Sequence, residues 1–168
     1  MTNSTPGKRI LILGGGTAGW MAANLMAKAW ADRGFDITLV ESPDIGIIGV
    51  GEGSTPMLKT FMTNIGVDEK DWMPACNATY KLGIRFDNWS TMPGFPRYFH
   101  PFPAQLDELT SPEFFRNSMA RRNGIDVEGH PDHFFLNTYM AEHKLSPFAG
   151  ENFPFTTLYG YHFDSGLL

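Results

Sequence analysis

The sequence predicts an α/β fold opening on a strand–turn–helix–strand unit. Three observations carry that prediction: an apolar run at residues 9–13 that ends in three glycines, helical spacing directly after them, and a second apolar run at 36–40 closed by an acid. In the first run Ile10, Leu11, Ile12 and Leu13 are continuous, which suits a buried parallel strand. Ala18, Met21, Ala22, Leu25, Met26 and Ala29 then recur at the period of one helix face, and Gly34 is placed to stop that helix. The second strand ends at Glu41. The unit is therefore βαβ.

Further along, Thr55 is a helix cap and Pro56 suits the first helical position, with Leu58, Phe61, Met62 and Ile65 on one face and Gly66 as the stop. Between Tyr80 and Phe86, the apolar Tyr80, Leu82, Ile84 and Phe86 alternate with Lys81, Gly83 and Arg85, the period of a single half-buried strand. Pro93, Pro96, Pro101 and Pro103 crowd residues 91–103 among aromatic residues, which predicts a packed loop. Two helices follow, one opening at Ser111-Pro112 and ending near Gly124, the other over residues 132–144. No internal repeat or low-complexity tract interrupts this order.

Bulk properties narrow the class. The 168 residues suffice for a core of their own, and 42% hydrophobic with 18% charged residues describes an ordered globular chain. With a net charge of -5 and scattered Lys and Arg, there is no basic stripe for nucleic acid. Cys76 is the only cysteine, so no internal disulfide forms, and a reducing, cytoplasmic setting is expected. Neither a secretory signal nor a membrane span is read. Aromatic residues make up 14% of the chain and cluster after Trp89, which points to an aromatic-lined layer behind the regular first half.

Gly14-Gly15-Gly16-Thr17-Ala18-Gly19 satisfies Gly-x-Gly-x-x-Gly between a strand and a helix. The chemistry needs a tight turn at Gly14, close approach of a pyrophosphate at Gly16 and close helix–strand packing at Gly19, while the first-turn amides of Thr17 and Ala18 face the anion. Glu41 follows Gly19 by 22 residues, where a carboxylate accepts hydrogen bonds from ribose hydroxyls. This pattern selects a dinucleotide and disfavours a ribose 2′-phosphate; it leaves FAD and NAD open.

Five stretches taken together resemble the flavin-dependent tryptophan halogenases. They are Val50-Gly51-Glu52-Gly53-Ser54-Thr55-Pro56, Trp20 after the last motif glycine, Lys81 within Tyr80-Lys81-Leu82-Gly83-Ile84-Arg85-Phe86, His100-Pro101-Phe102, and Tyr161-His162-Phe163-Asp164. The resemblance implies a Rossmann-like FAD-binding fold of the flavin monooxygenase/halogenase type, incomplete in this chain. On that reading residues 1–168 are the N-terminal part of one FAD-dependent domain, with the nucleotide-binding unit and flavin strap at about 7–55 and part of the substrate-side layer at about 77–168.

The resemblance also implies the chemistry. FAD reduced by a separate flavin reductase, oxygen and a halide (chloride or bromide) give hypohalous acid, which reaches Lys81 beside an electron-rich aromatic such as tryptophan or another indole. Lys81 either polarises hypohalous acid by hydrogen bonding or forms a haloamine, and both remain open. His100 and Phe102 match positions that flank the substrate, and Gly49, Val50 and Gly51 match the strap against the flavin. His162 is read as a structural hydrogen-bonding residue, and no metal is assigned to His130 and His133. Neither nucleic acid nor membrane is an expected partner, and a homodimer is compatible with the resemblance.

The family's Trp-x-Trp-x-Ile-Pro signature is absent, since Trp20, Trp30, Trp72 and Trp89 lack that spacing. The segment that supplies the family's catalytic glutamate and halide site has no match either, so the 168 residues alone are expected to be inactive. Two other readings stand beside this one. The first is another FAD- or NAD-dependent oxidoreductase with the same nucleotide fold; the second is a non-enzymatic remnant.

Overall fold

The computed structural model describes residues 8–46, 53–91, 93 and 96–168. These fall into two compact units, the first containing described residues 8–46, 59–76 and 164–168, the second 53–58 and 77–163.

The first unit opens on β1 (Arg9–Leu13), α1 (Thr17–Trp30) and β2 (Asp36–Val40), with a 3-10 turn at Ala31–Arg33 between the last two. Strands β1 and β2 pair in parallel, Arg9 opposite Asp36 through Leu13 opposite Val40, giving the βαβ unit the periodicity predicts. Gly34, at φ +73°, ends the turn in the left-handed region where a side chain is strained. One face of the pair, with Ile10 and Ile12, is half-buried; on the other, Leu13 is 84% and Leu11 66% exposed. Parallel strands are ordinarily covered on both faces; here the exposed face carries Leu11, Leu13 and Val40 beside Arg9, Asp36 and Thr38.

Helix α2 (Met57–Ile65) and then α3 (Glu69–Ala75) follow in the chain. Helix α2 starts beside Pro56 as its cap pattern predicts, Leu58 N–H donating to the Thr55 carbonyl at 3.2 Å. Met62, Trp72 and Cys76 are buried. Burial, and secondarily the Asp164 carboxylate, push the Cys76 thiol above its ordinary range, which leaves it a packing residue and not a nucleophile.

The second unit departs from the sequence reading in four places. The alternating stretch is two strands, β3 (Thr79–Lys81) and β4 (Gly83–Asp87), which separate at buried Leu82 and take different partners. The proline-rich stretch contains a strand, β5 (Arg97–Pro101), antiparallel to β4. Four residues free of proline lie between Pro96 and Pro101, enough to pair along an edge, and Phe86 stacks on Tyr98 across it with ring centroids 4.8 Å apart.

Helix α4 (Asp107–Arg122) is the third departure, because it begins before Ser111 and carries Pro112 inside its second turn. Its start is fixed by Asp107, buried, whose carboxylate accepts from Ala104 N–H at 2.8 Å and from Leu136 N–H at 2.9 Å. A tertiary anchor of this kind outweighs the lost Pro112 hydrogen bond. The last predicted helix is shorter than its pattern, a 3-10 turn at Pro131–His133 and then α5 (Leu136–Glu142). Strand β6 (Gly160–His162) closes the unit antiparallel to β3, with Lys81 opposite Gly160. Tyr80, Tyr159 and Tyr161 pack behind this ladder, Tyr161 fully buried. Among the described residues no helix is long and apolar enough to cross a membrane.

Candidate active site and nucleotide-binding turn

In the first unit the glycine turn forms where the sequence puts it. Gly14 N–H donates to the Val40 carbonyl at 2.8 Å, which ties the turn to the end of β2, and the Gly14 backbone at φ +114° suits only glycine. A Cβ at Gly19 would run into the Gly14 carbonyl, and one at Gly15 into the Glu41 carboxylate. Glu41 thus faces the turn. A Cβ at Gly16 would meet none of the described residues within 4 Å, so among them the space over Gly16 is open. Gly16 caps α1 without a side-chain hydrogen bond, and the first turn, with Thr17, Ala18 and Gly19, carries no acid. Open space, uncapped amides and a carboxylate at the adjoining strand tip fit a dinucleotide. Gly49, Val50 and Gly51 lie outside the described residues.

In the second unit, Lys81 is the last residue of β3 and is half-buried. Its ammonium stands 5.8 Å from the centroid of the Phe102 ring, within cation–π range. Phe102 is buried and held by its own N–H, which donates to the Leu82 carbonyl at 2.8 Å. His100 sits on β5 opposite Ile84 with its side chain exposed. The structure brings Phe102 to Lys81.

Two residues join the lysine that were not read as part of its site. Gly53 bridges to His162 on β6, and Ser54 is stitched to the same strand, its N–H donating to the Tyr161 carbonyl at 2.8 Å and its Oγ accepting from Tyr161 N–H at 3.0 Å. A Cβ at Gly53 would lie 2.9 Å from Lys81 Nζ and 3.3 Å from His162 Nδ1. Strand β6 therefore carries Gly53-Ser54 and His162 to the lysine. The His162 ring thus lies next to Gly53, on the side where the Lys81 ammonium also approaches. Gly53 stood inside the quoted motif, and that was the available signal.

Desolvation, with the Lys81 ammonium second, holds His162 below its ordinary value of 6.5. The unfolded chain then binds the proton first as pH falls, so the contribution of His162 to stability is full above pH 6.5 and is lost as the pH drops through the folded-state value. An NMR titration of the His162 ring is expected to give a midpoint below 6.5 that moves upward in Lys81→Met. A midpoint unmoved by that substitution would show that the two groups do not face one another.

Elsewhere Glu128 accepts from His130 N–H at 2.7 Å and pairs with His133 at 2.9 Å, and these contacts lower its carboxyl. Among the described residues no three acid, histidine or cysteine side chains are grouped to hold a metal ion.

A Gly-x-Gly-x-x-Gly turn on a parallel βαβ unit and, in the second unit, a lysine set over an aromatic ring define a protein of the α/β class. A family model described as tryptophan halogenase matches residues 9–168, and the chain belongs to that family. It is 47% identical, over an alignment 189 positions long, to the tryptophan 6-halogenase SttH of Streptomyces toxytricini, a match covering 100% of this chain and 35% of that protein. To the 7-chloro-L-tryptophan 6-halogenase KtzR of a Kutzneria species it is 36% identical over 180 residues, covering 95% and 34%. Among solved structures, the flavin-dependent halogenase BrvH from a Brevundimonas species superposes with a TM-score of 0.72 at 30% identity, covering 95% of this chain and 31% of that one. The chain thus spans about a third of the length of these relatives.

Proposed function

We propose that this chain supplies the FAD-binding turn and the lysine arm of a flavin-dependent halogenase acting on an electron-rich aromatic, with tryptophan or another indole as the substrate class. The observation that carries the proposal is the meeting of Lys81, Phe102 and Gly53 in one cluster, which joins three separate stretches of the family resemblance.

Gly14, Gly16, Thr17, Ala18 and Gly19 would hold the pyrophosphate of FAD, Glu41 the ribose, and Gly49, Val50 and Gly51 would lie along the flavin. Bound and reduced by a separate reductase, the flavin supplies, with oxygen and chloride or bromide, the hypohalous acid. The remaining work belongs to the chain. Phe102 offers a ring face for the aromatic substrate, with His100 as a second flanking residue, and the Lys81 ammonium donates a hydrogen bond to the oxidant beside it. A neutral His162 leaves Lys81 the one cation of the cluster at neutral pH. A cytoplasmic setting belongs to the same proposal.

The test is a chimaera in which residues 9–168 replace the matching third of the S. toxytricini halogenase, supplied with a flavin reductase, oxygen and halide. Mass spectrometry over an indole and phenol library is expected to find halogenated product. A chimaera that folds and binds FAD yet halogenates nothing in that library overturns the reading.

A further inference from the structure

Asn137 takes no part in the chemistry above, yet it is fully buried in the first turn of α5. A buried amide has to be satisfied or it costs stability. Here both side-chain hydrogens are used, Nδ2 donating to the Phe102 carbonyl at 2.7 Å and to the Leu158 carbonyl at 2.8 Å, while Oδ1 has no partner among the described residues. Those two acceptors fix which end of the amide is nitrogen, because the flipped group would set oxygen against two carbonyls.

Phe102 is thereby held at both ends. Its N–H goes to Leu82, the residue directly after Lys81, and its carbonyl to Asn137. The chain beyond it is pinned as well. Leu158 N–H donates to the Pro103 carbonyl at 2.9 Å, and Ala104 N–H goes to Asp107, whose other oxygen takes Leu136 N–H next to Asn137. With the peptides on either side of Phe102 fixed, its Cα–Cβ direction is fixed, and burial of the side chain restricts the rotamer of the ring that stands 5.8 Å from the Lys81 ammonium.

We infer that Asn137 is a positioning residue: from α5 it sets the Phe102 ring against Lys81, and with it the ring edge and face proposed to meet the aromatic substrate. The inference rests on the proposed halogenase reading for the identity of that substrate. The geometry itself is independent of it.

The test uses the 168-residue chain with isotope-labelled Lys and Phe. In the unsubstituted protein a nuclear Overhauser contact joins the Lys81 ε-methylene to the Phe102 ring, and the ring current displaces the lysine signal; Phe102→Leu removes both. Asn137→Ala is expected to lose most of that contact and displacement while the β4–β5 amide signals keep their positions. Asn137→Gln, which keeps the donor pair on a longer arm, is the second variant, and it too is expected to shift the ring. An undiminished Lys81–Phe102 contact in either folded variant overturns the inference. Should neither variant fold, scalar couplings across the hydrogen bonds of the unsubstituted protein decide, their presence from Asn137 Nδ2 to both the Phe102 and Leu158 carbonyl carbons supporting the clamp and their absence overturning it. None of these readouts needs turnover, so a chimaera that fails to halogenate would sink the function and leave this result standing.

Discussion

Lys81→Met in the chimaera is expected to lower halogenated product about 10²–10⁴-fold, the range for loss of a positioned proton donor, while flavin oxidation proceeds at its former rate. Methionine keeps the length and apolar stem of lysine and removes the charge. Lys81 is half-buried at the end of β3, where backbone pairing with Gly160 does not depend on the side chain. The fold should therefore persist, and the lost group is the ammonium facing Phe102, Gly53 and His162. Both chemistries open to Lys81 need that nitrogen. They part on Lys81→Arg, which retains a hydrogen-bond donor but provides no amine to halogenate: partial activity favours polarisation, and none favours the haloamine. Product formation undiminished in Lys81→Met would remove the lysine from the mechanism. The readouts are product yield by mass spectrometry and flavin oxidation by absorbance.

The second large effect is expected at the glycine turn, where two single-methyl substitutions should separate fold from binding. Gly16→Ala places its methyl in open space on a backbone at φ -73° and ψ 175°, which alanine adopts without strain. As a poorer helix cap, alanine should cost the fold no more than about 0.5–1 kcal/mol. The methyl would occupy the approach of the pyrophosphate. Losing one charge-assisted hydrogen bond there is worth roughly 1.5–3 kcal/mol, or about 10- to 100-fold in FAD affinity. Gly19→Ala has its methyl against the Gly14 carbonyl, a backbone atom that cannot swing aside. It should destabilise the fold by about 1–3 kcal/mol through overpacking, although alanine favours a helix over glycine. Urea unfolding and flavin titration of the two chimaera variants provide the comparison. Equal FAD affinity in Gly16→Ala and the unsubstituted protein would move the phosphate elsewhere, and a stabilised Gly19→Ala would refute the packing argument.

How much of this was legible depended on whether a signal was local. The turn at Gly14–Gly19 was, because a left-handed Gly14 and a Gly19 packed on its carbonyl are demands a few consecutive residues must meet. Helix α2 was as well, its start marked by Thr55 and Pro56 and its stop by Gly66 at φ +82°. The stretch around Lys81 was legible only in part. Alternation announced strand, but the break at Leu82 arises because β3 is claimed by β6 and β4 by β5, and no periodicity within residues 79–87 records two partners. Proline density hid β5 in the same way, since an edge strand needs pairing only on the side that proline spares.

By itself, then, the sequence determined the βαβ unit, the glycine turn with its acid, and the lysine as the residue to watch, since backbone sterics and short-range spacing set the first two and a run of matching residues marked the third. Only the tertiary structure decided what stands around that lysine. Gly53, Lys81, Phe102, Asn137 and His162 are scattered over more than a hundred residues, and they are brought together through β6 and α5 by antiparallel pairing and by one buried amide that must satisfy both its hydrogens. Such hydrogen bonds pair generic backbone groups, so they leave no pattern in the residue types, and their partners exist only once the chain has folded.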